Sequence, residues 1–303
     1  MRFGIPVLTA SGVTDPYLSS DEDLRAAERL ADHGAREGFE GALAAYYATN
    51  ARVSPIQARR FIAGTIAALG RARTVFDTWR EWTDGGRVPE NGTLIDVGCG
   101  TGPLAVTTAL AGYQTVGVDV GLRWLVLASL RAREAGADVT FVCAGAEALP
   151  LADGAAAIVV GESVFENVRQ LDRAVNEVAR VLQPGGWLWF TTANRWSLGP
   201  DPHLGLPLGG WLPPGLTAFW ARHRNMVPPQ RRLLGALGVR RLLARHGFQL
   251  TRLGPPPIAQ SQLEAASGPI RLAVRVYEGI RRVPPGSAFL RAFGPTLVAV
   301  AHR

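Results

Sequence analysis

Apolar positions recur at helical spacing from Asp21 to about Trp82. Leu24, Ala27 and Leu30 share one face, and Ile56, Phe61, Ile62, Ile66 and Leu69 continue the pattern. Asp84-Gly85-Gly86 interrupts it, and Val88-Pro89-Glu90-Asn91-Gly92 reads as a loop. Residues 1–90, irregular over the first 20, are therefore expected to form a helical N-terminal extension rather than an independent domain. From Thr93 the period shortens. Leu94–Val97, Val116–Asp119, Thr140–Cys143, Ala157–Gly161 and Trp187–Thr192 are apolar runs of strand length. Helical stretches separate them at Pro103–Ala111, at Arg123–Ala135 and along Leu171, Val175, Val178 and Leu182, the last ending at Pro184-Gly185-Gly186. Strands alternating with helices predict a parallel sheet covered on both faces, hence an α/β domain over residues 91–303.

The alternation fails after Asn194. Residues 196–230 are rich in proline and glycine and carry Trp196, Trp211, Phe219 and Trp220. A stretch this long without regular elements is usually functional, so a lid-like insertion after the fifth strand is expected at about 196–230. Leu233–Arg245 returns to helical spacing, and Gly247-Phe248-Gln249-Leu250 reads as a turn into a strand. Residues 262–282 read as a helix with Ile270, Ala273, Val274, Tyr277 and Ile280 on one face, and Thr296–Ala301 as a final strand.

Charge changes the picture in one respect. The chain has no lysine, and its 32 arginines are unevenly opposed. Residues 1–217 hold 18 arginines against 23 acids, whereas residues 218–303 hold 14 against two. Such asymmetry suits a nucleic-acid or anionic lipid surface, although arginine here also serves every cationic position. No apolar run reaches the roughly 18 residues of a membrane span, and the N-terminus does not read as a secretory signal. Cys99 and Cys143 are isolated thiols without metal or disulfide spacing. A cytoplasmic setting is expected, with contact at the inner face of the membrane through the basic third.

The chemistry is concentrated in Leu94-Ile95-Asp96-Val97-Gly98-Cys99-Gly100-Thr101-Gly102-Pro103, where a strand enters a loop with glycine at every second position and then a helix. Glycine lets the backbone turn sharply and approach a ligand closely, and the helix start offers free N–H groups to an anion. A dinucleotide fingerprint would need a third glycine where Pro103 stands. Asp119, 19 residues beyond Gly100 at the end of the second strand, suits the two hydroxyls of a ribose.

In these residues the chain resembles the class I S-adenosylmethionine-dependent methyltransferases, in the branch whose first motif reads D-x-G-C-G-T-G. The resemblance is detailed over roughly residues 90–195 and includes Gly145-Ala146-Glu147-Ala148-Leu149-Pro150 and Arg180-Val181-Leu182-Gln183-Pro184-Gly185-Gly186. It implies a Rossmann-like, doubly wound, mostly parallel seven-stranded sheet. It also implies S-adenosyl-L-methionine as cofactor, held by Asp96, Gly98, Cys99, Gly100, Gly102, Asp119, Val120, Ala146, Glu147 and Glu162. Three positions depart from the family: Gly145 where an adenine-bonding aspartate is usual, Ala157 where an aspartate opens the fourth strand, and Glu166-Asn167 where many relatives read Glu-His.

Methyl transfer draws on positioning, and a base helps when the acceptor must lose a proton. Glu162 and His203 are the expected catalytic residues, Glu162 doubling as a cofactor-positioning group, with His223 and the Tyr46-Tyr47 pair as further neighbours. No metal site is expected. No Asn-Pro-Pro-Tyr or Asp-Pro-Pro-Tyr follows the fourth strand and no Pro-Cys pair is present, which weakens nucleic-acid base methylation. Trp196, Leu198, Leu204, Leu206, Leu208, Trp211, Leu212, Leu216, Phe219 and Trp220 are expected to form an apolar cover. A small or lipid-like hydrophobic acceptor, met at an anionic membrane, is therefore expected. The alternatives are an RNA methyltransferase using the arginine-rich third and a non-catalytic S-adenosylmethionine-binding regulator.

Overall fold

The computed structural model describes residues 1–9, 15, 18–50, 53–83, 92–201, 205–224, 231–259, 263 and 267–303. The long helical stretch divides into α1 (Ser20–Ala48), α2 (Pro55–Ile66) and α3 (Ala68–Trp82). Ser19 and Ser54 close reciprocal capping boxes with Glu22 and Gln57, which fixes where α1 and α2 begin. Gly38, at φ 70°, kinks α1, and Glu134 accepts the Phe39 amide at 2.6 Å there. The alternating region follows as β1 (Thr93–Val97), α4 (Pro103–Leu110), β2 (Gln114–Asp119), α5 (Leu122–Ala135), β3 (Val139–Cys143), β4 (Ala156–Glu162), α6 (Leu171–Val181) and β5 (Leu182–Ala193). The chain then forms α7 (Pro214–His223), α8 (Ala236–Arg245), β6 (Gln249–Gly254), α9 (Gly268–Arg282), α10 (Pro284–Phe293) and β7 (Thr296–His302).

Seven strands form one sheet in the order β3-β2-β1-β4-β5-β7-β6. The first five are parallel, and β7 runs antiparallel to both β5 and β6. The doubly wound, mostly parallel α/β expectation holds. Strand order reverses between β1 and β4, so their carboxyl ends frame the crevice where ligands bind such sheets.

Helices cover both faces. Ile95, Val97, Val159, Leu188 and Leu297 pack with Leu171, Val175 and Val178 of α6 and with Val239 and Leu243 of α8. On the opposite face Leu94, Ile158, Trp189 and Val298 meet Phe76 and Trp79 of α3, and α1 packs with α4 and α5 around Phe141. Gly34 permits that approach, since a Cβ there would lie 2.3 Å from Leu130. Burying Trp79 to 2% exposure is worth about 3 kcal/mol. Thus α3 is a layer of the sheet domain and not an appendage.

Two helices were not anticipated from the pattern, α7 within the insertion and α10 before β7. Both open on a Pro-Pro pair, Pro213-Pro214 and Pro284-Pro285, that looks like a breaker. Proline is well tolerated in a first turn, where its missing N–H has no intrahelical partner in any case. β5 also starts earlier than expected: Leu182 pairs with Ala156 and Trp187 with Ile158, so Pro184-Gly185-Gly186 is an irregularity inside the strand.

Candidate functional site

At the carboxyl end of β1, Gly98, Gly100 and Gly102 all have positive φ, at 68°, 52° and 72°. The loop is pinned to β2 by the Gly98 and Cys99 amides, which both donate to the Val118 carbonyl. A Cβ on Gly98 would strike Val164 at 2.5 Å, whereas one on Gly100 would meet nothing within 4 Å. The backbone at Gly100 therefore faces open space.

Asp119 is brought to this loop. Its Oδ2 accepts the Gly100 amide at 2.9 Å and its Oδ1 accepts the Gly121 amide at 2.8 Å. Burial pushes its carboxyl above the usual range, while those amides and the Arg123 guanidinium oppose the rise. Each oxygen keeps a lone-pair direction for another donor. Val120, beside it, is half-buried and lines a cavity of about 210 Å³ with Val7, Leu24 and the acids Asp15, Asp21 and Asp23. The N-terminal segment reaches this end of the sheet through the Val7–Cys143 bridge.

Other expected residues are oriented differently. Asp96 is buried below the loop, where its Oδ2 accepts the Ala105 amide at 3.1 Å and so caps the start of α4. Burial, then the nearby Glu162 charge, pushes its carboxyl well above the usual range. Cys99 sits in the core with Phe141 and Cys143, its amide donating to the Val118 carbonyl and its carbonyl accepting the Gly102 amide. Ala146 is core. Glu147 accepts the Arg169 and Gln170 amides at the start of α6, so its carboxylate is committed to a helix end. Glu162 is half-buried at the end of β4, its carboxyl raised by burial and lowered by Arg71. His203 lies outside the described residues. His223 is exposed at the end of α7, stacked on Phe219. Tyr46 and Tyr47 pack against each other, with Trp124 beside Tyr46 and Phe61 beside Tyr47.

Sequence reasoning missed two arginines. Arg131 of α5 donates to the Thr101 hydroxyl at 3.3 Å and to the Thr65 carbonyl at 2.8 Å, and its Nε has no partner. Burial, then Arg71 of α3, lowers its pKa to about 10. Residues 30 and 66 positions apart meet here, which no local motif signals.

At the carboxyl ends of β4 and β5 a second cavity, about 300 Å³, lies under the insertion. Ser163, Glu166, Asn167, Asn194, Asp201 and Arg231 are among its walls. Asp201 and Arg231 form a buried ion pair, and Asn194 donates to the Ala292 and Gly294 carbonyls, at the end of α10 and just beyond it. The expected apolar cover is turned outward in large part: Trp196, Leu198, Leu208, Trp211, Leu216 and Phe219 are exposed, and Leu204 lies outside the described residues.

Residues 95–190 match the family described as Methyltransferase domain. The match runs from β1 to β5 and covers about a third of the chain. The fold of this domain is shared with an S-adenosylmethionine-dependent methyltransferase from Mesorhizobium loti, at TM-score 0.51 and 19% identity over 74% of this chain and 97% of that one. Ubiquinone biosynthesis O-methyltransferase of Chromobacterium violaceum is 35% identical over 103 residues, 34% of this chain and 44% of that protein. Its counterpart from Idiomarina loihiensis is 32% identical over 147 residues, 46% and 57% of the two chains. The chain thus spans about half the length of these curated relatives, and the insertion, α9 and α10 lie beyond the matched methyltransferase domain.

Proposed function

We propose that the protein is an S-adenosylmethionine-dependent methyltransferase acting on a small molecule. The carrying observation is Asp119, held by two backbone amides at the mouth of a loop whose three glycines all have positive φ. This arrangement fits an adenosyl cofactor. The free lone pairs of Asp119 suit both ribose hydroxyls, the open side of Gly100 admits a close ligand, and the cavity beside Val120 suits a flat base. Arg131, on the Thr101 hydroxyl, and the charge of Arg71 near Arg131 suit the carboxylate of an amino-acid moiety. When bound, the cofactor supplies a methyl group on a cationic sulfonium. Glu162 lies on this side of the site, close enough to raise the Asp96 carboxyl, and acts as a positioning charge beside the cofactor.

The acceptor is a small or lipid-like hydroxyl compound. The relatives' name, O-methyltransferase, supports the hydroxyl. An exposed ring series supports the apolar part: Trp196 meets Trp211 edge-on, Trp211 stacks on Phe293, and Phe293 packs on Phe289. α9 adds exposed Ile270, Leu272 and Val276 among Arg271, Arg275 and Arg282. Rings and apolar side chains interleaved with arginine suit the surface of an anionic bilayer, and no helix among the described residues is long and apolar enough to cross one.

The test is calorimetric titration with S-adenosylmethionine and S-adenosylhomocysteine. The wild type should bind both, and Asp119→Ala should weaken binding by more than about 100-fold, since two hydrogen bonds to a charged group are lost. Absence of binding by the wild type would remove the enzyme reading.

A further inference from the structure

The 300 Å³ cavity between the end of β4 and the insertion contains a carboxylate that the fold itself leaves incomplete. Glu166 is 4% exposed. Its Oε1 accepts the Ala193 amide at 3.2 Å, and its Oε2 is sealed from solvent with no hydrogen-bond partner. Buried polar groups are nearly always paired, and an unpaired carboxylate oxygen is among the most costly exceptions. The charges around it do not resolve the deficit. Arg231 faces Glu166 but is paired with Asp201 on the same wall, and the Arg232 backbone amide is taken by the Glu166 carbonyl. Burial holds the carboxyl above its ordinary value, with the Glu166 and Ala193 amides, the Thr192 hydroxyl and Arg231 opposing.

Position separates the two glutamates of this segment. Glu162 acts on Asp96, under the glycine loop. Glu166, four residues further, lines the cavity with Ser197, Asp201 and Gly210 of the insertion and with Pro295 and Thr296 after α10. Their neighbouring walls are polar: Ser163, Asn167 and Asn194 join Glu166, while the exposed rings of Trp196 and Trp211 lie outside. A molecule with a hydroxyl at one end and an apolar body at the other fits both parts.

We propose that this cavity receives the hydroxyl end of the acceptor and that Glu166 is the catalytic base. The inference rests on the methyltransferase reading above. Because the terminal torsion of a glutamate is soft, a small rotation presents Oε2 to a donor in the cavity. The acceptor oxygen bonds to the methyl carbon as the carbon–sulfur bond breaks, its electron pair going to sulfur and neutralising the sulfonium. The hydroxyl proton passes to Glu166 Oε2. A carboxyl raised by burial is better matched to that task near neutral pH than an ordinary one.

The experiment uses 4-hexylphenol as probe, with 4-hexylaniline as its amine match, and S-adenosylhomocysteine calorimetry on every variant. The wild type with S-adenosylhomocysteine bound should take up the phenol saturably, read by equilibrium dialysis. Glu166→Leu should weaken that uptake about 10- to 100-fold, the loss of one hydrogen bond to a charged group, with S-adenosylhomocysteine affinity unchanged. Glu166→Gln should keep phenol uptake within a few-fold and lose about 10²- to 10⁴-fold in methyl transfer. The wild-type rate should rise with pH through a carboxyl pKa above the ordinary range, and that limb should vanish in Glu166→Gln. No phenol uptake by the wild type, transfer to the aniline alone, or Glu166 variants that behave as wild type would overturn the proposal while S-adenosylhomocysteine binding stands. Loss of S-adenosylhomocysteine binding in the wild type would instead remove the reading on which it rests.

Discussion

The carboxyl ends of β1 and β2 and those of β4 and β5 lie on one edge of the same sheet, yet their polar groups are treated in opposite ways. At the first, each carboxylate has donors from the protein. Asp119 takes two amides, Asp96 takes one at the start of α4, and Asp23 takes the Leu122 amide at 2.7 Å together with the Arg123 guanidinium. At the second, Glu166 Oε1 takes the Ala193 amide, its Oε2 has no hydrogen-bond partner, and Trp196 and Trp211 face solvent outside the cavity. The carboxylates of the first end are satisfied without a ligand and are preorganised for one. The second is completed by what enters it.

The largest effect expected tests the completed end. Arg123 is 3% exposed between Asp15 and Asp23, and the two acids hold its guanidinium charged against the burial penalty. Asp23 also caps α5 from α1, which joins the N-terminal helices to the β2 end. Asp23→Ala leaves a buried cation with Asp15 alone and two helix amides without their acceptor. Urea unfolding should show a loss of about 3–5 kcal/mol. A loss below about 1 kcal/mol would mean that the extension is not tied to the site by this contact.

Next in size is the loop itself. Gly98→Ala places a Cβ 2.5 Å from Val164 at a φ of 68°, so strain and overlap act together. A cost of about 1–3 kcal/mol is expected in thermal unfolding, and S-adenosylhomocysteine affinity should fall at least about tenfold as the loop shifts. Val164→Ala, added to it, should recover part of the stability by trimming the methyl groups. The φ penalty should remain, so full recovery would show that overlap alone matters.

These two ends also differ in how far the sequence disclosed them. The glycine loop and Asp119 are readable because the constraint is local: positive φ, a strand end and a helix start within ten residues of one another, then one acid after the next strand. The parallel α/β sheet followed from the same alternation, and its seven strands from the family resemblance. Glu147 and Asp96 look like ligand-facing acids in the motif, and their actual partners, the first turns of α6 and α4, emerge only when the helices are docked. Glu166 stands out only beside Asn167 in the family motif, and its state is not legible there, since it depends on Ala193, 27 residues away, and on Arg231 just after the insertion. Arg131 is similar, because its distinction comes from burial against Thr101 and Arg71. The proline pairs that begin α7 and α10 hid two helices.

The smallest stability effect belongs to the exposed rings, and it separates packing from docking. Trp211 is 41% exposed and Phe293 36% exposed, although their rings stack at 6.4 Å and 11°. The Trp211 Nε1 donates to the Ser197 carbonyl at 3.1 Å, which holds the indole in place rather than letting it fold into the cavity. Trp211→Ala with Phe293→Ala should therefore cost about 0.5–1.5 kcal/mol, the worth of an aromatic pair. If the rings serve only the fold, that is the whole consequence. If they meet a bilayer, the wild type floats with phosphatidylglycerol vesicles at low salt, stays behind with phosphatidylcholine vesicles, and is released as salt screens the arginines. The double variant then loses flotation while S-adenosylhomocysteine binding is retained. Flotation unchanged in the variant would assign the attraction to the arginines of α9 alone, and a wild type that does not float at low salt would remove the membrane from the function of this face.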